Sequence, residues 1–89
     1  MINQLCRTIV LTDINAERER QIELRGIQRK TDNEWMPVLI EEVGEIAQAM
    51  QQEKPTDASN KYVEIIQAAA VPAQWAEQLV EEGIKKNAK

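Results

Sequence analysis

Two short glutamate motifs are the best candidates for a ligand-binding or reactive site in this chain. Glu42 and Glu45 are three residues apart, and so are Glu64 and Gln67. Residues three apart lie on one face of a helix, so each motif directs two oxygen-bearing side chains the same way. If the two helices pack together, three carboxylates and one amide surround a common point. Ligands that are all oxygen favour a hard divalent cation, Mg²⁺ or Mn²⁺.

The competing interpretation is that these glutamates form a solvated surface, as charge runs such as Glu41-Glu42 commonly do. Against it, Glu42, Glu45 and Glu64 flank apolar stripes and do not stand opposite them. Like charges one helical turn apart repel by about 0.2–0.5 kcal/mol. Packing two such helices together adds to that cost unless a cation lies between them. Both interpretations stay open on spacing alone.

The helices that must position these residues are indicated by length and composition. The chain has 89 residues, of which 43% are hydrophobic but only 3% aromatic. Such a length predicts a single domain over residues 1–89. A core of small and aliphatic side chains favours close helix packing, so we expect an all-α fold. Because so short a chain buries a modest share of its surface, we also expect the helices to form a bundle through homo-oligomerisation.

Three helices with clear boundary signals account for most of the sequence. The first is predicted from about Leu5 to about Leu24, ended by Gly26. Thr31 and Glu34 form a Thr-x-x-Glu capping box that begins the second helix, which runs to about Gln52. Its proline, at position 37, is expected within about the first turn, where a missing N–H costs least.

A turn over residues 54–57 precedes the third helix, with Thr56 or Asp57 as its N-cap. This helix is predicted to kink at Pro72 and to continue to about Glu82, where Gly83 ends it. Apolar stripes are expected at helical spacing on all three helices. Their members are Leu5, Ile9, Ile14 and Ile22 on the first; Leu39, Val43, Ile46 and Met50 on the second; and Val63, Ile66, Ala69, Ala70, Ala73, Ala76 and Val80 on the third.

Charge and cysteine content exclude several classes of function. Residues 1–30 carry six Lys/Arg and four acids, a net of +2, and the remainder carries five against eleven, a net of −6. An acidic chain without a basic stripe is a poor partner for duplex nucleic acid, but a basic segment beside an acidic, cation-bearing site suits a small polyanion. With one cysteine and no histidine, a zinc site of the usual kinds is not expected.

The single cysteine, Cys6, is expected to be a buried small hydrophobe, with a surface thiol as the alternative. No apolar stretch has the length of a membrane span or of a signal-peptide core. We therefore expect a cytoplasmic protein without a membrane partner.

Residues 35–50, which include Glu41-Glu42-Val43-Gly44-Glu45, resemble the second helix of the MazG-like nucleoside triphosphate pyrophosphohydrolases. That all-α family carries an E-x-x-E motif followed, after a variable gap, by E-x-x-D. Glu42-x-x-Glu45 matches the first half, and residues 64–71, continuing to Trp75, resemble the second. Residues 17–21 and Gly26 are similar to the family's first helix and following turn, so the resemblance covers most of the chain.

The resemblance implies an enzyme that hydrolyses a nucleoside triphosphate to monophosphate and pyrophosphate, as nucleotide-pool house-cleaning. It implies that Glu42, Glu45, Glu64 and Gln67 hold Mg²⁺, and that Glu41 or Glu45 is the general base toward water. Candidate substrate contacts are Lys61, Arg18 and Arg20 for phosphate and Trp35 for the base. For each cation a solvated side chain is the alternative, and for Trp35 a core anchor. The expected assembly is a homodimer or homotetramer.

The chain departs from the family pattern at Gln67, which stands where the motif has Asp. An amide oxygen can ligate a hard cation but brings no negative charge, so we expect weaker Mg²⁺ binding. Two alternatives follow. One is a catalytically weakened relative that binds nucleotides or a partner, and the other is a helical interaction protein with solvated acidic faces.

Overall fold

All the regular secondary structure of the described residues is helical, which confirms the all-α prediction. The computed structural model describes residues 2–52 and 58–87, with side chains over 3–51 and 60–83. It contains α1 (Ile2–Arg25), α2 (Asp32–Gln52) and α3 (Ala58–Asn87). The turn predicted over 54–57, with Thr56 or Asp57 as an N-cap, lies outside the described residues.

The boundary between α1 and α2 is set by local chemistry that the sequence predicts correctly. Gly26 follows the last residue of α1 with a φ of 71°, a left-handed conformation that favours glycine. At the start of α2, the Thr31 N–H donates to Glu34 Oε1 at 2.9 Å, and the Glu34 N–H donates to Thr31 Oγ1 at 3.3 Å. This reciprocal pair is the predicted capping box.

Two expectations about helix-breaking residues are wrong. Pro37 is the sixth residue of α2 and not part of its first turn, so its missing N–H leaves the carbonyl of Asn33 without its usual helical donor. The third helix does not stop at Gly83 but continues to Asn87, running through Pro72 on the way. Gly83 does not adopt a positive φ, and a glycine terminates a helix by adopting that conformation.

Helix α3 is the central element, and α1 and α2 pack on it separately. Among the described residues, close backbone approaches occur between α2 and α3 and between α1 and α3, but not between α1 and α2. Helix α2 runs antiparallel to α3, since Trp35, near its start, bonds Gln78 and the later glutamates reach Glu64. The small core lies along α3 and consists of Trp35, Ile66, Ala68, Ala70 and Val71.

Much apolar surface lies outside that core. On α1, Leu5, Ile9 and Ile22 are exposed, and on α2 so are Val43 and Met50, so a large part of the predicted apolar stripes is not buried. Cys6 is also exposed, which contradicts its expected burial. The radius of gyration is 15.3 Å, against about 12 Å for a compact chain of this length. None of the described helices has the length and apolarity needed to cross a membrane.

Candidate metal centre and substrate cleft

Because α1 and α2 diverge from α3 on neighbouring sides, a cleft of about 460 Å³ opens between them. Gln67 is the α3 residue in its lining. Its polar lining comprises Glu17, Arg20, Gln21 and Arg25 from α1, Glu41, Glu42 and Glu45 from α2, and Gln67 from α3. The α2 wall is therefore acidic, whereas the α1 wall carries the paired charges of Arg20 and Glu17 and a further cation, Arg25.

The predicted glutamates converge at this cleft. One carboxylate oxygen each from Glu42, Glu45 and Glu64 lies within 4.8 Å of the other two. Glu42 and Glu45 are one turn apart on α2, and the antiparallel packing brings Glu64 of α3 beside them. Glu42 and Glu64 are half-buried and Glu45 is exposed.

Two oxygens in this cluster lack the partners that buried polar atoms usually have. Glu42 Oε2 and Glu64 Oε2 are buried, and neither accepts a hydrogen bond from a residue that the structure describes. Buried polar atoms without partners are costly and uncommon. A cation held between the carboxylates would satisfy both.

The electrostatics of the cluster are unusual for carboxylates near a surface. Burial, followed by the negative charge of Glu45 and a hydrogen bond with it, raises the pKa of Glu42 from 4.5 to about 7. Smaller contributions come from the charges of Glu64 and Glu41. At neutral pH the metal-free cluster therefore holds a proton for part of the time, and a divalent cation would compete with that proton.

The donor set fits a hard cation. Three carboxylate oxygens lie within 4.8 Å of one another, and Gln67, one turn after Glu64, lines the adjoining cleft. Glu41 also lines the cleft but lies outside the three-carboxylate cluster. Magnesium keeps several waters and needs only a few carboxylates, so these side chains suffice to hold it.

The two arginines nominated as phosphate contacts have different surroundings. Arg18 is buried, and its guanidinium donates to both carboxylate oxygens of Glu77 at 2.9 and 2.7 Å and to Gln21 Oε1 at 3.0 Å. It lies outside the lining of the cleft and ties α1 to α3. Arg20 lines the cleft and forms a salt bridge with Glu17, with Nη2 2.6 Å from Oε2.

The other two nominated substrate contacts do not line the cleft. Trp35 is 1% exposed, and its Nε1–H donates to Gln78 Oε1 at 3.0 Å. This geometry supports the core-anchor alternative and gives no support to stacking on a base. Lys61 is partly buried on α3, one turn before Glu64, and does not line the described cleft.

Sequence reasoning did not nominate Arg25, Lys30 or Gln74, which line a cavity that adjoins the cleft. Gln74 carried a usable signal, because it is a polar residue on the same helical face as Ala70 and Gln78 in an otherwise alanine-rich segment. Arg25 and Lys30 had no such signal, since basic residues near a helix end are common.

The geometry is the only guide to this site beyond the sequence resemblance. Comparisons of the chain with protein-family models, with curated proteins and with solved structures find no match.

Proposed function

We propose that this chain is a Mg²⁺-dependent nucleoside triphosphate pyrophosphohydrolase. The observation that carries the proposal is the convergence of Glu42, Glu45 and Glu64 beside the cleft, with one carboxylate oxygen of each within 4.8 Å of the others. Glu42 and Glu45 line the cleft, and Arg20 and Arg25 line its α1 side. Acidic ligands for a cation facing cationic side chains suit a polyanionic substrate with its metal. The motif resemblance described above agrees with this chemistry.

Each residue has a distinct role in the proposed reaction. Glu42, Glu45 and Glu64 hold the cation, with Gln67 as a neutral fourth ligand. Bound Mg²⁺ would supply neutralisation of phosphate charge and orientation of a water. The water oxygen attacks the α-phosphorus, the bond to the bridging oxygen breaks, and pyrophosphate leaves.

The proton from the attacking water needs an acceptor in the cleft. Glu41 and Glu45 are the two candidates. We favour Glu41, because a carboxylate bound to a cation is a weaker base, and Glu41 lies outside the cluster. A substitution that removes its proton-accepting ability, Glu41→Gln, should lower turnover while leaving Mg²⁺ affinity close to that of the wild type.

The decisive experiment is pyrophosphate release from a panel of ribo- and deoxyribonucleoside triphosphates in millimolar Mg²⁺. We expect release from at least one nucleotide, with the monophosphate as the second product. Absence of release from every nucleotide would refute the enzymatic proposal.

Gln67 favours a second candidate, a catalytically weakened relative that binds nucleotides. Its amide lies in the cleft at the position where the resembling motif has Asp, so the site has one negative charge fewer. Nucleotide binding in Mg²⁺ without pyrophosphate release would support this candidate over the first.

We also propose that the chain works as a homodimer or a dimer of dimers, because α2 presents a second apolar stripe. Met36, Ile40, Val43 and Met50 are 45%, 62%, 53% and 61% exposed, and Ala47 lies in line with them. Their alternating spacing of four and three is that of a helix–helix seam. Viewed down the axis of α2, this stripe is rotated by about 110° from the side of the helix that packs on α3.

The neighbouring surface of α3 extends this stripe. Ile65, Pro72, Ala76 and Leu79 are exposed on the side of α3 that faces away from α1. A second copy that applied the same two helices would cover both stripes in a four-helix arrangement. Its cleft would stay open, because the cleft lies on the α1 side of α2.

Molar mass measured by light scattering during size-exclusion chromatography tests the assembly. Ile40→Glu should shift the mass toward that of a monomer. Ile27→Glu is a matched control, since Ile27 is equally exposed at 66% but lies in the loop between α1 and α2. A wild-type mass equal to one chain would refute the proposed oligomer.

A further inference from the structure

A second cavity, of about 180 Å³, opens beside the glutamate cluster at the loop between α1 and α2. It shares Gln21, Arg25 and Glu42 with the substrate cleft, so the two spaces are continuous. Lys30 and Gln74 line only the cavity. We call this space the loop cavity.

The amide of Gln74 indicates that the loop cavity is built for a polar ligand. Gln74 is only 6% exposed, yet it makes no side-chain hydrogen bond to any residue over 3–51 and 60–83. Gln78, one turn later, shows what a satisfied amide looks like here, since it bonds both Lys30 and Trp35. Because Gln74 lines the cavity and its amide atoms are not fully enclosed by the protein, a ligand or water in the cavity can complete their hydrogen bonding.

The cations of the loop cavity are also uncompensated. Within the described residues, neither Arg25 nor Lys30 forms an ion pair, and the Lys30 ammonium lies 5.7 Å from the centre of the Trp35 ring. Their neighbour Arg29 differs, because it is paired with Glu81 at 2.6 Å. Two cations outside ion pairs and an amide without a hydrogen-bond partner form a donor set for a compact polyanion.

The opposite end of the cleft has a different character. There an apolar pocket of about 300 Å³ is lined by Tyr62, Val63 and Ile66, and it shares Arg20 and Gln67 with the cleft. The Tyr62 hydroxyl donates to Asp13 Oδ2 at 2.6 Å, which fixes the ring. An apolar pocket with an ordered aromatic side chain suits a planar ring, not a phosphate.

We infer that the substrate binds in one orientation. Its two terminal phosphates occupy the loop cavity, and its nucleoside occupies the apolar pocket lined by Tyr62. The inference rests on the proposed function and goes beyond it by assigning an end of the triphosphate to each cavity. Arg25, Lys30 and Gln74 then bind the leaving pyrophosphate. The base lies far from Trp35, contrary to the role that the resemblance suggested for that residue.

Calorimetric titration of inorganic pyrophosphate in excess Mg²⁺ tests the phosphate end. The double variant Arg25→Gln/Lys30→Met should weaken binding by about tenfold or more, since it removes two charge-assisted contacts. Arg29→Gln, which removes a neighbouring positive charge outside the cavity, should change affinity by less than about twofold. Gln74→Leu keeps the side-chain volume and should weaken binding without lowering the melting temperature.

The nucleoside end is tested by Tyr62→Ala. It should raise KM for the nucleoside triphosphate and leave the affinity for inorganic pyrophosphate unchanged. Equal effects of the cavity and control variants, or weaker pyrophosphate binding in Tyr62→Ala, would overturn the assigned direction while wild-type turnover still supported the proposed function. A wild type that neither binds pyrophosphate nor hydrolyses a triphosphate would overturn both.

Discussion

The ion pairs of α1 and the glutamate cluster treat charge in opposite ways. On the α1 side, Arg18 is held by Glu77 and Arg20 by Glu17, with closest contacts of 2.7 and 2.6 Å. These arginines lower the pKa of Glu77 and of Glu17. On the α2 side, burial and neighbouring carboxylates raise the pKa of Glu42 to about 7.

The comparison distinguishes ion pairs that stabilise the packing of the helices from carboxylates that are available to bind a ligand. Paired ions on α1 gain from contacts present in the folded chain itself. The glutamates on α2 and α3 repel one another, and the folded chain pays for their proximity unless a cation binds. Charge that folding leaves uncompensated is therefore the better guide to the site.

The largest expected effect is the loss of activity in Glu42→Gln. Turnover and Mg²⁺ affinity should fall by about a hundredfold or more, since a central ligand becomes neutral. The metal-free fold should be no less stable, because the substitution removes like-charge repulsion. Pyrophosphate release and thermal melting by circular dichroism measure the two effects, and Glu23→Gln, on the exposed side of α1, is the control. Unchanged turnover would refute the metal-site assignment.

Breaking the ion pair between Arg18 and Glu77 should change the stability of the fold. Glu77→Ala leaves the buried Arg18 guanidinium without its carboxylate and should lower the free energy of unfolding by about 3 kcal/mol. Arg18→Met should cost less, about 1 kcal/mol, because Glu77 is half exposed and can be hydrated. Urea unfolding measures both. Equal losses would show that burial of Arg18 is not what makes the pair asymmetric.

Gln67→Asp should increase the uncompensated negative charge beside the glutamate cluster. A fourth carboxylate adds repulsion in the metal-free chain and attraction in the bound one, so Mg²⁺ should bind about tenfold more tightly. Calorimetry with Mg²⁺ measures the affinity, and Gln67→Asn is the neutral control. Looser binding in Gln67→Asp would contradict the charge argument.

The smallest effect is a pH dependence of metal-free stability. Because the pKa of Glu42 is about 7 in the folded chain and 4.5 when unfolded, the folded state binds more protons between these values. Stability without metal should therefore fall as pH rises through that window and level off above it. Mg²⁺ displaces the proton, so the rise in melting temperature on adding Mg²⁺ should grow from about pH 5 to about pH 8. Glu42→Gln should remove the trend.

Local signals allowed much of the fold to be predicted. The Gly26 break and the Thr31–Glu34 capping box depend on neighbouring residues, and both are as expected. The end of α3 was missed, because whether Gly83 stops a helix depends on its backbone conformation, which composition does not reveal.

For the candidate site, spacing predicted that Glu42 and Glu45 share one helix face and Glu64 another, and the antiparallel packing brings the three together. The role of Arg18 could not be predicted, since its partner Glu77 is 59 residues away. Gln74 was missed because lack of a partner is a tertiary property.

Gln78 gives the loop between α1 and α2 an order that loops seldom have. Its Oε1 accepts from the Lys30 N–H at 3.1 Å and from Trp35 Nε1–H at 3.0 Å, while its Nε2–H donates to the Lys30 carbonyl at 2.8 Å. One side chain thus imitates the edge of a β-strand toward Lys30. The Lys30 amide should consequently exchange with deuterium at a rate set by the opening of α3 and not by loop motion, which makes this proton a native reporter of the state of the core.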